Sequence, residues 1–112
     1  MVIRYRSITK SVDFTTTRQR GFVFKDQFMV VFVNANGAPF TQIGLSVSRR
    51  VGNAVIRNKV KRRLRAILSL ISVTGGVDVL IVARVKASLA GYKELNRSLF
   101  NLTKKAGIVE DI

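Results

Sequence analysis

The segment from Gly44 to Arg65, GLSVSRRVGNAVIRNKVKRRLR, constrains the fold of this chain more than any other. It begins inside an alternating stretch. Ile43, Leu45 and Val47 point one way and Gln42, Gly44, Ser46 and Ser48 the other, the pattern of a strand with one buried and one polar face. The period then changes. At roughly 100° per residue, Ile56, Val60, Leu64, Ile67 and Ile71 line one side of a helix, and Arg57, Asn58, Lys61, Arg62 and Arg65 fan out on the other. Eight of the seventeen residues from Arg49 to Arg65 are Lys or Arg, and none is acidic. Like charges at i,i+4 repel, so such a helix needs a polyanion to offset its cationic face. The pattern points to RNA.

The rest of the composition narrows what the chain can do with that helix. At 112 residues it is expected to form one domain spanning 1–112, and 47% hydrophobic residues are enough for a packed core. The formal charge is +14, and no acid occurs between Asp26 and Asp78. A surface of one sign opposes its own compaction, and phosphate backbones are the usual compensation. No apolar run of about 20 residues is present, so no membrane span is expected. The opening MVIRYRSITK lacks the apolar core of a signal peptide, and a cytoplasmic location is expected. Cysteine and histidine are absent, and the six acids (Asp13, Asp26, Asp78, Glu94, Glu110 and Asp111) are scattered. A protein nuclease needs clustered carboxylates around metal ions or a general base. No catalytic residue, metal site or side-chain-bound cofactor is therefore expected in this chain.

A coarse pass gives the order α-β-β-β-α-β-α. After an extended lead-in over 1–8, a helix runs from Thr9 or Ser11 to Arg20, with Gly21 as its stop. Phe22 to Phe24 reads as a short strand and Gln27 to Ala35 as a central one, its FMVVFV run being unbroken. Asn36-Gly37 marks a turn. The alternating strand follows, then the basic helix from Gly52 or Asn53 to Ile71, with Asn53 as N-cap. Thr74-Gly75-Gly76 breaks the chain before the strand VDVLIVAR. A last helix spans Leu89 to Ala106, with Tyr92, Leu95, Leu99, Leu102 and Ala106 on one face. These elements make an α+β class fold, a small α/β sandwich.

On these residues the chain resembles the bacterial ribonuclease P protein subunits. The run GLSVSRRVGNAVIRNKVKRRLR is similar to their signature: a strand ending Ser-Val-Ser, a basic pair, Gly-Asn-Ala, and Arg-Asn-Arg followed by further basic residues. Element order, length and the VLIVAR strand agree over nearly the whole chain. The resemblance implies a left-handed crossover for the strand–helix–strand unit that holds the basic helix, although physics alone favours the right-handed form. It implies an accessory subunit of a ribonucleoprotein endonuclease that removes the 5′ leader from precursor tRNA. Catalysis then belongs to the large RNA subunit and its divalent metal, magnesium. The implied partners are that RNA and the precursor with its leader, the protein itself being a monomer.

The resemblance also assigns residues. Arg57, Asn58 and Lys59 occupy the Arg-Asn-Arg positions, with Lys in place of the last Arg, so a point charge replaces a bidentate fork. Lys61, Arg62 and Arg65 extend the face toward phosphates of the catalytic RNA. Arg63 lies nearer the apolar stripe and is expected to snorkel from the core edge. Arg49 and Arg50 sit between strand and helix, where functional and structural readings are even; Asn53 reads as RNA contact or only a cap, and Gly52 as a backbone accommodation. For the leader, the family uses a cleft between the first helix and the sheet. Phe14 matches its first aromatic position and reads equally as core. Arg18 stands where another aromatic is usual, and an Arg plane also stacks on bases. Val31 stands at a further aromatic position on the adjacent strand, and the polar sheet face with Gln42, Ser46 and Ser48 is a candidate floor.

Two other readings compete. A generic small basic RNA-binding or ribosomal protein shares the size, charge and lack of chemistry, but not the contiguous signature. A membrane-surface or DNA-coating protein would be expected to carry exposed aromatics on the basic helix, and that helix has none.

Overall fold

The structure, a computed structural model, describes residues 5–8 and 11–109, with only the backbone described for 11–14. A two-residue strand β1 (Arg6–Ser7) precedes α1 (Ser11–Arg20), β2 (Phe22–Lys25), β3 (Met29–Ala35) and β4 (Gln42–Ser46). A 3₁₀ turn (Arg49–Val51) leads into α2 (Ala54–Leu68), and β5 (Val77–Ala83), a second 3₁₀ turn (Val85–Leu89) and α3 (Tyr92–Lys105) complete the chain. Apart from β1, hidden in the extended lead-in, this is the order expected from sequence. A start of α1 at Thr9 would lie outside the described residues.

The five strands form one mixed sheet in the order β1-β4-β5-β3-β2. β3 pairs antiparallel with both β2 and β5, which leaves it central as its apolar run implies. β4 and β5 are parallel neighbours, so the chain must cross over between them, and α2 makes that crossing. The register puts Met29, Val31 and Val33 of β3 in line with Ala83, Ile81 and Val79 of β5, and Ile43 and Leu45 of β4 in line with Val79 and Ile81. This is the core face. Val60, Leu64, Ile67 and Leu68 of α2 and Leu95, Leu99 and Leu102 of α3 pack on it in one buried cluster. Burying a Leu or Ile side chain contributes about 1.5–3 kcal/mol, so this stripe is the main reason α2 can hold so many like charges.

The alternate residues face the other side, with Phe32 and Leu80 side by side and Ser46, Val82 and Val30 in a neighbouring row. α1 lies there: its Thr17 is fully buried, and the Arg18 guanidinium stands 5.9 Å from the centre of the Phe32 ring.

Two helix boundaries differ from the sequence reading. α2 ends at Leu68 rather than Ile71. The Ser69 hydroxyl turns back to the Ala66 carbonyl at 2.6 Å, and the next amides, Leu70 and Ile71, bond three residues back. This tightening ends the helix while leaving Ile71 buried. α3 starts at Tyr92 rather than Leu89, because the preceding residues take the 3₁₀ turn. The Glu94 carboxylate accepts the Gly91 N–H at 3.2 Å and caps the new start. Tyr92 is consequently exposed rather than part of the packed face.

A single acid ties the open end of the sheet together. Asp26 Oδ1 accepts the N–H groups of Phe28 (2.8 Å) and Met29 (3.1 Å), and its Oδ2 accepts the Ser98 hydroxyl of α3. Arg84 donates to the Asp26 carbonyl at 2.9 Å, which joins the end of β5 to the same turn.

Candidate nucleic-acid interface

The cationic face is built outward from the end of β4. Ser48 is exposed, and its carbonyl accepts the Val51 N–H at 3.1 Å to close the 3₁₀ turn. That turn buries Val51 and leaves Arg49 and Arg50 exposed beside the start of α2. Gly52 follows because the space is already taken: a Cβ there would come within 2.8 Å of Ile56 Cγ2. Asn53 then caps the helix, its side-chain oxygen accepting the Ile56 N–H at 3.0 Å. The capping role expected for Asn53 is thus present, and the residue stays exposed.

Along α2, Asn58, Lys59, Arg62 and Arg65 are exposed, while Arg57 and Lys61 are half-buried on the flank. Arg57 departs from the simple outward fan. Its Nε is buried without a hydrogen-bond partner among the described residues, and an unpaired buried donor costs about 1–3 kcal/mol. Arg65 and Leu68 on this flank border Ile43, Gly44 and Leu45 of β4, so Arg57, Lys61 and Arg65 run along the β4 side of the helix. Arg63 behaves as the snorkelling residue anticipated: half-buried, it donates from Nη1 to the Ala90 carbonyl at 2.9 Å. Lys59 lies toward that same side, away from Arg57. No carboxylate is available within the segment, so a phosphate chain offers the natural counter-charge.

The second candidate region lies on the opposite face of the sheet. Beside α1, the row Ser46, Val82, Val30 and Lys25 crosses four strands, with Phe32 in the next row. Ser46, Val82, Val30 and Phe32 are half-buried, and Arg18 and Lys25 are exposed. Val31 does not belong here. It is 0% exposed and faces α2 and α3, so the strand's aromatic at this groove is Phe32. Unbroken hydrophobicity in FMVVFV hid which residues face which way. Asn34, two positions beyond Phe32, was the available clue, because a polar side chain is more easily accommodated on the half-covered face. Phe14 lies on α1, but its side chain is outside the described residues. Val30, Phe32, Lys25 and Val82 went unrecognised in the sequence.

Among the described residues no group of three His, Cys, Asp or Glu side chains clusters as a metal site, and no helix is long and apolar enough to cross a membrane.

A mixed sheet with its apolar helices on one face and a cation-dense crossover helix defines a small basic RNA-binding protein of the α+β class. Comparison with known proteins makes this specific. The family model described as Ribonuclease P matches residues 3–107, and the chain belongs to that family. It is 35% identical over 105 residues to the ribonuclease P protein component of Clostridium kluyveri, covering 90% of this chain and 94% of that protein. It is 36% identical over 104 residues to that of Bacillus cereus strain AH187, covering 90% of each. Among solved structures, the Staphylococcus aureus protein is similar with a TM-score of 0.84 at 28% identity, over 96% of this chain and 100% of that one. The Thermotoga maritima protein gives 0.80 at 28%, over 91% and 97%. Agreement of that extent requires the β4–α2–β5 crossover to have the same hand as in those proteins. The chain is thus a protein component of an endoribonuclease that acts in tRNA processing, and it partners that enzyme's RNA subunit.

Proposed function

We propose that this chain is the accessory protein of a ribonuclease P holoenzyme that removes the 5′ leader from precursor tRNA, with the chemistry carried by the RNA subunit. The observation that carries this reading is the face of α2, where Asn58, Lys59, Arg62 and Arg65 are exposed above a fully apolar buried stripe. Such a surface holds phosphates and positions an RNA; it offers no general base or nucleophile. Arg49 and Arg50 extend it, and Arg57 and Lys61 form its flank. Divalent metal, magnesium, is proposed to act with the RNA subunit rather than on protein side chains. The leader is proposed to lie in the groove between α1, which carries Phe14 and Arg18, and the sheet face of Phe32 and Ser46, with Ser48 near its end. There an aromatic ring and an Arg plane give sequence-tolerant stacking for a single strand. The protein is proposed to be a cytoplasmic monomer.

The test is cleavage of a precursor tRNA at low magnesium, with the protein, a bacterial catalytic RNA, or both. Leader removal only with both present is expected, and the protein alone should cut nothing. No stimulation of a cognate RNA would leave a generic RNA-binding protein as the better reading.

A further inference from the structure

The β4 side of α2 holds a feature that phosphate binding does not use. Between β1, the outer edge of β4 and α2 lies a cavity of about 300 Å³, lined by Tyr5, Ser7, Ile8, Ile43, Gly44, Leu45, Arg65 and Leu68. This is the lower end of the range for small-molecule pockets, about 300–1,000 Å³, and suits one planar ring system.

Among the described residues, β1 covers only part of the β4 edge here. Arg6 N–H donates to the Thr41 carbonyl and Ile8 N–H to the Ile43 carbonyl. The N–H and C=O of any one strand residue point to the same side, and alternate residues repeat it. Leu45 therefore turns its N–H and C=O toward the same edge as Thr41 and Ile43. Among the described residues the ladder with β1 ends at Ile8, and this pair of backbone groups has no ladder partner. A sheet edge of this kind is a ready template for an outside donor and acceptor. Tyr5 supplies an aromatic surface in the same cavity, half-buried, and exposed Arg65 stands at its rim. Arg65 is also the last of the series Arg57, Lys61, Arg65, whose members rise about 6 Å apart along the helix. That is on the scale of successive phosphates in a strand of RNA.

We infer that this cavity takes one unstacked nucleobase of an RNA strand whose phosphates run along Arg57, Lys61 and Arg65. The base stacks on Tyr5, its hydrogen-bonding edge meets the Leu45 N–H and C=O, and Arg65 holds the adjacent phosphate. The inference rests on the reading of α2 as the RNA-binding face, and adds recognition of a base to an interface otherwise made of charge.

The experiment is an amide chemical-shift titration of the full-length protein with adenosine 5′-monophosphate and, separately, ribose 5-phosphate at matched ionic strength. Both ligands should shift amides of α2. Only the nucleotide should give saturable shifts at Ser7, Gly44 and Leu45. Tyr5→Ala should weaken the nucleotide by about fivefold to a hundredfold, the range that loss of one stacked base gives, and Tyr5→Phe should retain it. Ribose 5-phosphate should bind both variants as it binds the wild type, which also reports that they are folded. Identical shifts from both ligands would reduce the site to an anion contact and overturn the inference. Base-dependent shifts confined to Phe32 and Val82 would overturn it too. Either result leaves the cleavage test of the holoenzyme role untouched.

Discussion

Arg63 and Ala90 are joined by a 2.9 Å hydrogen bond from the Arg63 Nη1 to the Ala90 carbonyl, and through it the basic helix is tied to the connection that precedes α3. One residue away, Arg62 is exposed and makes no such bond. Two neighbouring cations of identical chemistry therefore have different surroundings.

This contrast is measurable. Arg63→Ala is expected to lower stability by about 1–3 kcal/mol, the range for a hydrogen bond to a charged group together with its packed stem. It should leave the salt dependence of RNA binding nearly unchanged. Arg62→Ala should do the reverse, with stability within about 0.5 kcal/mol of wild type and a salt slope lower by about one. Urea unfolding and a salt titration with the RNA subunit check both. A shared phenotype would show that Arg63 is also a phosphate contact.

Asn53 and Gly52 are both structural at the start of α2, so their substitution should act first on folding. Asn53→Ala removes the oxygen that accepts the Ile56 N–H and should cost about 1 kcal/mol. Gly52→Ala forces a methyl against Ile56 and should cost about 1–3 kcal/mol. Thermal unfolding of the two variants gives the magnitudes. RNA affinity that falls for Asn53→Ala and recovers together with stability in Asn53→Ser would be the signature of a cap alone, since Ser keeps an accepting oxygen and adds no charge; recovery of stability without recovery of affinity would show a contact through the amide.

Much of this was legible in the sequence because the physical signals were redundant. The alternation through Leu45 and the helical stripe through Val60 and Leu64 each fixed an element and its buried side, and the charge fixed what the other side meets. Legibility failed where one signal stood alone. Val31 and Phe32 lie in an apolar run with no alternation, so parity was open, and Val31 was set on the face that Phe32 occupies while it packs in the core. The end of α2 was missed because Ile71 stays buried after the helix has stopped. Tyr5 was invisible because β1 has only two residues, too few for any period.

Asp26 was read from sequence only as one of several scattered acids, yet it bonds two backbone amides of its turn and the Ser98 hydroxyl. Asp26→Ala should lower stability by about 2–4 kcal/mol, since several charge-assisted bonds go at once. Ser98→Ala should cost less. The double variant should fall short of the sum, because the two residues share one interaction. Denaturant unfolding of the four proteins in the cycle measures this coupling, and strict additivity would remove Asp26 from the contact.

If the leader lies as proposed, Phe32 and Val31 divide recognition from packing within a single dipeptide. Phe32→Ala is expected to weaken binding of a leader-bearing precursor about fivefold to a hundredfold, the loss of one stacked base. Mature tRNA, which has no leader to place over Phe32, should bind as before. Arg18 stands over the same ring, so Arg18→Ala should give a smaller loss in the same direction. Val31→Ala opens a hole in the core beneath α2 and α3 and should cost about 1–3 kcal/mol of stability. At temperatures where that variant is folded, it should discriminate precursor from mature tRNA as the wild type does. Equilibrium binding of the two RNAs to holoenzymes carrying each variant decides the matter. Equal losses for both RNAs in Phe32→Ala would move the leader off this face of the sheet.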